Sequence, residues 1–287
     1  MKGFKTIAFI SAPGGVGKTT IALCLAWFLA ERNKSTLLLD LDPSLGLTLT
    51  LKDFRDYYQE IEYKRCTSAD LLEKALEGGP SQDFEFKHFL TRAPFQGVTL
   101  EFIASSIRLE DVMGKIWHTP TAGHSEKKLK EALGYIPGNF NYEYLLIDNI
   151  PCYGLTYALT TIHASDAYIV PLRLTINDLG RTLQMIKKLQ ETAAKFDLSE
   201  EQFVNKLYFL YNMVETQYRR ESKIPTYEKQ IRNMFPGANF FEAFVPSQVG
   251  FTRIGTEEER PGDSKKVREL FKPFYTDFER KIMGQYW

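Results

Sequence analysis

A glycine-rich segment near the start of the chain has the residue types and spacing that bind phosphate. Residues 12–20 read APGGVGKTT and follow an apolar, β-branched run at residues 6–10. Glycines let successive backbone N–H groups turn toward one anion, and a helix that begins beside them adds the positive end of its dipole. The lysine supplies charge to the β- and γ-phosphates, and the adjacent hydroxyl is a ligand for Mg²⁺. The pattern predicts nucleotide binding by Gly14, Gly15, Val16, Gly17, Lys18, Thr19 and Thr20.

Two apolar runs further along the chain end in aspartates. LLLDLDPS occupies residues 37–44, and YLLIDNIP occupies residues 144–151. Such runs are typical of parallel strands buried on both faces, and ligands of open α/β sheets lie beyond the carboxyl ends of those strands. The sequence therefore predicts that Asp40, Asp42 and Asp148 lie at the edge of the sheet where ligands bind. The alternative interpretation of the first pair is a solvated strand end.

The segments around these residues alternate between strand-like and helix-like patterns. The predicted strands are residues 6–10, 35–40, 98–103, 143–148, 167–172, 206–213 and 240–245. The predicted helices are residues 19–32, 67–76, 125–133, 155–164, 175–196 and 218–235, and residues 117–124 are predicted to form a polar turn. This alternation predicts an α/β fold with a doubly wound, mainly parallel sheet flanked by helices.

Composition places the chain among soluble globular proteins. It has 287 residues, 44% of them hydrophobic and 25% charged, and we interpret residues 1–287 as a single domain with a helical extension at about 264–287. Pro273 should kink or split that extension. Three cysteines without a Cys-x-x-Cys pair suit a reducing cytosol, and no apolar run approaches the length of a membrane-spanning helix.

The loop and the two aspartate segments together resemble the ParA/MinD family of deviant-Walker ATPases. The resemblance extends over roughly residues 4–250 but is specific only at these three motifs. The family usually has a signature lysine directly before the Gly-Gly pair, and this chain has Pro13 there. A loop without that lysine is similar to the McdA-like branch, whose members position carboxysomes. The resemblance implies a P-loop NTPase fold and a chain that binds ATP and Mg²⁺.

The resemblance also implies roles for individual residues. Lys18 and Asp42 are the implied catalytic residues, with Asp42 orienting the attacking water. Thr19 and Asp148 are implied to hold Mg²⁺, the aspartate through a water, and Asp40 to shape the metal surroundings.

Two further segments match the family positions that contact the base. Asn212 ends a predicted strand and is implied to recognise adenine, and Pro246, Ser247 and Gln248 are implied to close over the base. Ordinary strand-end turns are the alternative interpretation of both segments.

The partners implied by the resemblance are a second copy of the chain when ATP is bound, non-specific DNA, and a ParB- or McdB-like adaptor that stimulates hydrolysis. Such a protein is cytoplasmic and associated with the nucleoid, and it positions a plasmid, a chromosome region or a carboxysome. Because 36 basic residues balance 36 acidic ones, DNA contact requires a local basic patch. The candidates, which are otherwise ordinary solvated charges, are Lys187, Lys188, Arg219, Arg220 and Lys223.

Three alternatives remain open at this level. A MinD-like protein would dock to a membrane through its C-terminal helix, although we favour packing of that helix against the domain. Pro13 favours a module that binds ATP and dimerises with negligible hydrolysis, unless Arg173 or Arg181 replaces the missing lysine. Cys152 is similar to a cluster ligand of nitrogenase-type iron proteins, but we see no second suitable cysteine.

Overall fold

The computed structural model describes residues 3–79, 84–118, 124–151, 155–215 and 223–284. Within these ranges eight strands form a sheet in the order β3-β4-β2-β5-β1-β6-β7-β8. The strands are β1 (Lys5–Phe9), β2 (Thr36–Leu41), β3 (Thr91–Phe95), β4 (Val98–Ile103), β5 (Tyr144–Asn149), β6 (Ala167–Leu172), β7 (Leu207–Tyr211) and β8 (Asn239–Phe240). Strands β2 and β4, β2 and β5, β6 and β7, and β7 and β8 pair in parallel, whereas β3 and β4 are antiparallel. The predicted fold class is confirmed.

Helices connect most of these strands. The α-helices are α1 (Lys18–Ala30), α2 (Gly46–Leu51), α3 (Phe54–Tyr57), α4 (Ser68–Leu76), α5 (Leu109–His118), α6 (Lys128–Leu133), α7 (Leu155–His163), α8 (Ile176–Ala193), α9 (Glu200–Asn205), α10 (Ile224–Met234), α11 (Gly250–Arg253) and α12 (Asp263–Phe278). Single π-helical turns continue α3 over Tyr58–Glu62 and α12 over Glu279–Met283. None of the described helices is long and apolar enough to cross a membrane.

The described residues group into two compact units, and the single-domain interpretation stays a prediction. The first unit contains residues 3–8, 25–79, 84–118, 124–150 and 155–166. Its centre is β2, whose apolar sequence TLLLDL suits a parallel strand covered on both faces. The register of β2 and β5 pairs Asp40 with Asp148 at the carboxyl ends of both strands.

The second unit contains residues 9–24, 151, 167–215 and 223–284. Its core joins β6, β7 and β8 to the C-terminal helix α12. Aromatic side chains carry this contact, with the rings of Phe241 and Phe274 4.9 Å apart and nearly perpendicular. Eight apolar or aromatic side chains follow one face over residues 267–283. Leu270 and Met283 are half-buried, and the other six are 0% exposed: Val267, Phe271, Phe274, Tyr275, Phe278 and Ile282.

Several sequence predictions about the elements are wrong in detail. Helix α12 continues through Pro273, so the expected split is absent. The last strand was expected over residues 240–245 but ends at Phe240, because Asp277 then accepts hydrogen bonds from the backbone N–H groups of Glu242 and Ala243. Trp117 belongs to α5 rather than to a turn. The edge strand β3 and the short helix α9 were not predicted.

Candidate functional site

The glycine-rich loop lies between β1 and α1, as its sequence predicts. Gly15 and Gly17 have φ angles of 68° and 91°, in the left-handed region that favours glycine. The carbonyl of Gly17 accepts the first helical hydrogen bond, from Ile21 N at 2.9 Å. The positive end of the helix dipole lies at this terminus, so the start of α1 is suited to bind an anion.

Lys18 folds back along this loop rather than extending into solvent. Its side chain is buried, and Nζ donates to Ser11 Oγ at 3.0 Å. The Ser11 hydroxyl in turn donates to the carbonyl of Pro13 at 2.9 Å. Ser11 was not among the predicted site residues, and its position just after β1 is the one signal of its role in the sequence. The arrangement holds an ammonium group within the loop, which is the charge that phosphate requires.

The segments predicted to contact the base belong to the same unit and lie side by side. Asn212 follows β7, and its Nδ2 donates to the carbonyl of Val16 at 2.7 Å. Val214 forms an isolated parallel bridge with Pro246, and Ser247 N donates to the carbonyl of Val214 at 2.9 Å. The structure therefore brings Asn212, Pro246 and Ser247 onto neighbouring backbone segments, with Asn212 against the loop.

The carboxylates of the first unit form a second group. Asp40 and Asp148 are 0% and 1% exposed at paired positions of β2 and β5. Burial, together with the nearby charge of Asp148, raises the pKa of Asp40, because a second negative charge is disfavoured in a dry environment. Asp42 is half-buried, and its carboxylate accepts from Ser44 N at 2.8 Å in the turn that follows β2.

Asp40 is fixed by the helix that follows this turn. Its Oδ2 accepts from Thr48 N at 2.9 Å and from Thr48 Oγ1 at 2.7 Å, and Oδ1 accepts from Asp42 N at 3.0 Å. Thr48 Oγ1 also accepts from Ser105 N at 2.9 Å, which ties α2 to the segment after β4. Thr48 belongs to none of the sequence motifs, so its role was not predicted.

Comparisons with known proteins show which family the chain belongs to. A sequence model of a family described as an AAA domain matches residues 4–199. The chromosome partitioning protein ParA of Caulobacter vibrioides is 27% identical over 246 residues, covering 85% of this chain and 81% of ParA. The chain belongs to the ParA/MinD family.

Solved structures of ParA/MinD proteins share the fold. The structure of pNOB8 ParA has a TM-score of 0.73 at 18% identity and covers 98% of this chain and 99% of its own. A Cyanothece McdA variant in complex with ATP has a TM-score of 0.70 at 20% identity and covers 96% and 95%. The resemblance predicted from three motifs is confirmed, and ParA/MinD proteins are in general P-loop ATPases.

The residues present fit a nucleotide and a magnesium ion. Among the described residues no group of three or more His, Cys, Asp or Glu side chains could hold a metal. Proteins bind Mg²⁺ through one or two carboxylates plus phosphate oxygens, and Asp40 and Asp148 are carboxylates at paired positions of β2 and β5. The glycine backbone of the loop has open space beside Gly15, so a ligand can approach it closely.

The structure describes some, but not all, of the remaining predicted residues of this ParA/MinD protein. Lys187 and Lys188 are exposed on α8, and Lys223 is exposed just before α10. Arg219, Arg220 and Cys152 lie outside the described residues. Of the two arginines considered as substitutes for the missing lysine, Arg173 donates from Nε to Asp178 Oδ2 at 2.7 Å, and Arg181 is exposed.

Proposed function

We propose that this protein is a Mg²⁺-dependent ATP hydrolase of the ParA type whose ATP-bound form is a homodimer. The observation that carries the proposal is the loop itself. It places two left-handed glycines, a helix N-terminus and the Lys18 ammonium group together in one unit. Backbone N–H groups, a lysine and a helix dipole are the means by which P-loop proteins bind triphosphates.

Each site residue then has a physical task. Lys18 neutralises charge on the transferred phosphate. Thr19 and, through a water, Asp148 would hold Mg²⁺, and Asp40 would shape the metal surroundings. Asp42 orients the attacking water; its half-buried carboxylate follows β2 directly. A bound Mg²⁺ supplies positive charge that stabilises the oxygens of the leaving phosphate.

The base is contacted by the second group of residues. Asn212, Pro246 and Ser247 form the adenine side of the proposed site. The hydrogen bond between Ser247 N and Val214 O keeps the 246–248 segment beside the end of β7. Carbonyl and amide groups at such a strand end can distinguish adenine from other bases by hydrogen bonding.

The biological role that we propose is positioning of a cargo. The ATP dimer holds non-specific DNA on the nucleoid through Lys187, Lys188, Arg219, Arg220 and Lys223, and a ParB- or McdB-like adaptor stimulates hydrolysis and release. The partitioning role of the named relative ParA and the fold shared with McdA support this proposal. The cargo is a plasmid, a chromosome region or a carboxysome.

Calorimetric titration of ATP with Mg²⁺ tests the proposal. The wild-type protein should show saturable binding, and Lys18→Ala should lose at least tenfold in affinity, because a charge-assisted contact is removed. Lys229→Ala is the matched control, since this lysine is exposed on α10 in the same unit. Absence of saturable ATP binding by the wild type would refute the nucleotide site.

Light scattering with and without ATP tests the dimer separately. The mass in solution should double on addition of ATP and Mg²⁺ when hydrolysis is blocked by Asp42→Ala. ADP should leave the protein monomeric, because the proposed dimer depends on the terminal phosphate. A mass that does not respond to ATP would remove the dimer from the proposal while leaving ATP binding intact.

One alternative keeps ATP binding but not turnover. Pro13 occupies the family's lysine position and has no charge, which favours a dimerisation module with negligible hydrolysis. Phosphate release measured with and without DNA separates it from the hydrolase. The MinD-like alternative has less support, because the apolar face of α12 is packed inside the second unit.

A further inference from the structure

The side chain of Asn212 lies beneath the phosphate-binding loop. It is 4% exposed, and Nδ2 is 2.7 Å from the backbone carbonyl of Val16. A carbonyl oxygen only accepts hydrogen bonds, so the amide must turn its nitrogen toward Val16. The side chain of Val16 is buried as well. The amide nitrogen of Asn212 is thus committed to the loop backbone.

The backbone at Gly17 lies so close to the side chain of Asn212 that a larger residue at position 17 would contact it. A Cβ atom built on Gly17 would collide with Nδ2 of Asn212 and would lie 3.5 Å from the terminal methyl group of Met213. Gly17 also has a φ angle of 91°. Glycine is therefore required at this position by the asparagine as well as by the backbone conformation.

The hydrogen bond to Val16 also sets the direction of a neighbouring donor. The carbonyl of Val16 and the N–H of Gly17 belong to one peptide unit, and none of the described peptide bonds is cis. In a trans peptide these two groups point in opposite directions. Holding the carbonyl against Asn212 therefore turns the Gly17 N–H toward the opposite side of the loop. The next peptide is held by α1, through the bond from Ile21 N to Gly17 O.

We propose that Asn212 is a positioning residue that latches the phosphate-binding loop through the Val16 carbonyl. It presents the Gly17 N–H to phosphate in advance, so less of the binding free energy is spent on ordering the loop. This inference rests on the proposed function, because phosphate is the ligand that the loop binds. It is separate from any contact between Asn212 and adenine, because it concerns the phosphate end of the ligand.

Inorganic tripolyphosphate separates the two roles, because it has no base. We would measure binding of Mg²⁺-tripolyphosphate and Mg²⁺-ATP to the wild type, Asn212→Ala and Asn212→Asp. The aspartate keeps the shape of the side chain but loses the donor. Asn239→Ala is the matched control: Asn239 Nδ2 donates to the carbonyls of Asn205 and Leu207, in the same unit and away from the loop.

The latch predicts that both Asn212 variants bind tripolyphosphate about tenfold more weakly, as expected when a buried carbonyl loses its donor. Asn239→Ala should bind like the wild type even if it is less stable. Unchanged tripolyphosphate affinity with weakened ATP binding would overturn the latch and leave Asn212 as a base contact alone.

Hydrogen exchange of the ligand-free protein provides an independent measurement. The amides of residues 14–18 should exchange faster in Asn212→Ala than in the wild type, whereas Asn239→Ala should leave them unchanged. Equal exchange in the wild type and Asn212→Ala would also overturn the latch. If the wild type binds neither ATP nor tripolyphosphate, the proposed function fails, and hydrogen exchange still decides whether Asn212 holds the loop.

Discussion

Two carbonyls of the phosphate-binding loop are held by side chains from outside the glycine run. Ser11 donates to Pro13 O at 2.9 Å, and Asn212 donates to Val16 O at 2.7 Å. Both donors are buried. Holding carbonyls on one side of a loop turns the N–H groups of the same peptides toward the other side, where a nest of amides can bind an anion.

The three glycines of this loop should differ in their tolerance of alanine. A Cβ at Gly14 would only touch Pro151 at 3.7 Å, Gly15 has open space but a φ of 68°, and Gly17 has both a φ of 91° and the collision with Asn212. We expect Gly14→Ala to change ATP affinity by less than about threefold. Gly15→Ala should cost about fivefold, and Gly17→Ala more than about a hundredfold.

Calorimetry with Mg²⁺-ATP measures this series, and circular dichroism verifies that each variant is folded. The order of the three effects is the critical result. If Gly14→Ala lost as much ATP affinity as Gly17→Ala, the backbone geometry of the loop would not govern binding.

At the same scale, residue types predict the candidate site residues more readily than the side chains that support them. The lysine, the threonine and the aspartates follow motifs that need only local sequence. Ser11 and Thr48 are supports whose roles depend on contacts 7 and 8 residues away along the chain. The bond from Asn212 spans 196 residues, so no local pattern contains it.

At the scale of elements, the N-terminus of α4 shows local sequence and long-range contact acting together. Thr67 and Asp70 form the capping box that the sequence 67–76 predicts. Asp70 also accepts hydrogen bonds from Arg108, at 3.0 Å and 2.9 Å, which joins α4 to the start of α5. Burial alone would raise the pKa of Asp70, but the hydrogen bonds from Arg108 and Thr67 outweigh it and lower the pKa.

The lowered pKa gives a prediction with a definite sign. An acid whose pKa is lower in the folded state stabilises the protein above its unfolded pKa of 3.8, and this contribution is lost as the pH falls further. Asp70→Asn should therefore lower the free energy of unfolding by about 2 kcal/mol at neutral pH, and the difference from wild type should shrink below about pH 4.

Urea unfolding at several pH values measures this difference. Asp56→Asn is the control, because Asp56 is exposed and lies 3.8 Å from its partner Lys52. It should change stability by less than about 0.5 kcal/mol. A deficit of Asp70→Asn that persists unchanged in acid would show that its cause is not the ionised carboxylate.

Pro273 gives a second prediction at this scale. Proline in a helix interior removes a backbone hydrogen bond, yet α12 continues past it because five apolar or aromatic side chains on its other face are fully buried. Replacing this exposed proline by alanine should raise the free energy of unfolding by about 1–2 kcal/mol, which is less than the full helix penalty since proline also restricts the unfolded chain.

Urea unfolding of Pro273→Ala beside Thr276→Ala, an exposed position one turn further along, tests this expectation. The threonine variant should differ from wild type by less than about 0.5 kcal/mol. A loss of stability in Pro273→Ala would indicate that the proline is needed for the packing of α12.

Element types with strong periodicity were predictable, and element ends set by tertiary contacts were not. Strand β6 and helix α8 follow their sequence patterns to within a few residues. Strand β8 is short because the carboxylate of Asp277, from a helix far along the chain, binds the backbone that would continue it. Strand β3 was not predicted because it is an edge strand that contains Pro94 and pairs with β4.

At the scale of the whole molecule, a net charge of zero gives no general attraction to DNA. Any DNA binding must then come from a local group of basic side chains, and of the predicted candidates Lys187 and Lys188 are exposed together on α8. We expect ATP-dependent DNA binding, because the proposed dimer doubles the number of such groups that face one duplex.

The double variant Lys187→Glu/Lys188→Glu should weaken DNA binding by at least tenfold at about 100 mM salt. The slope of log affinity against log salt should become shallower by about two, because roughly one counterion is released per phosphate contact. Lys265→Glu/Lys266→Glu makes the same charge change at an exposed pair on α12 and should have a much smaller effect.

Fluorescence anisotropy with a labelled duplex measures the DNA affinity of both double variants. Equal losses in the two pairs would mean that overall charge governs binding, and no DNA binding by the wild type at low salt would remove DNA from the proposal.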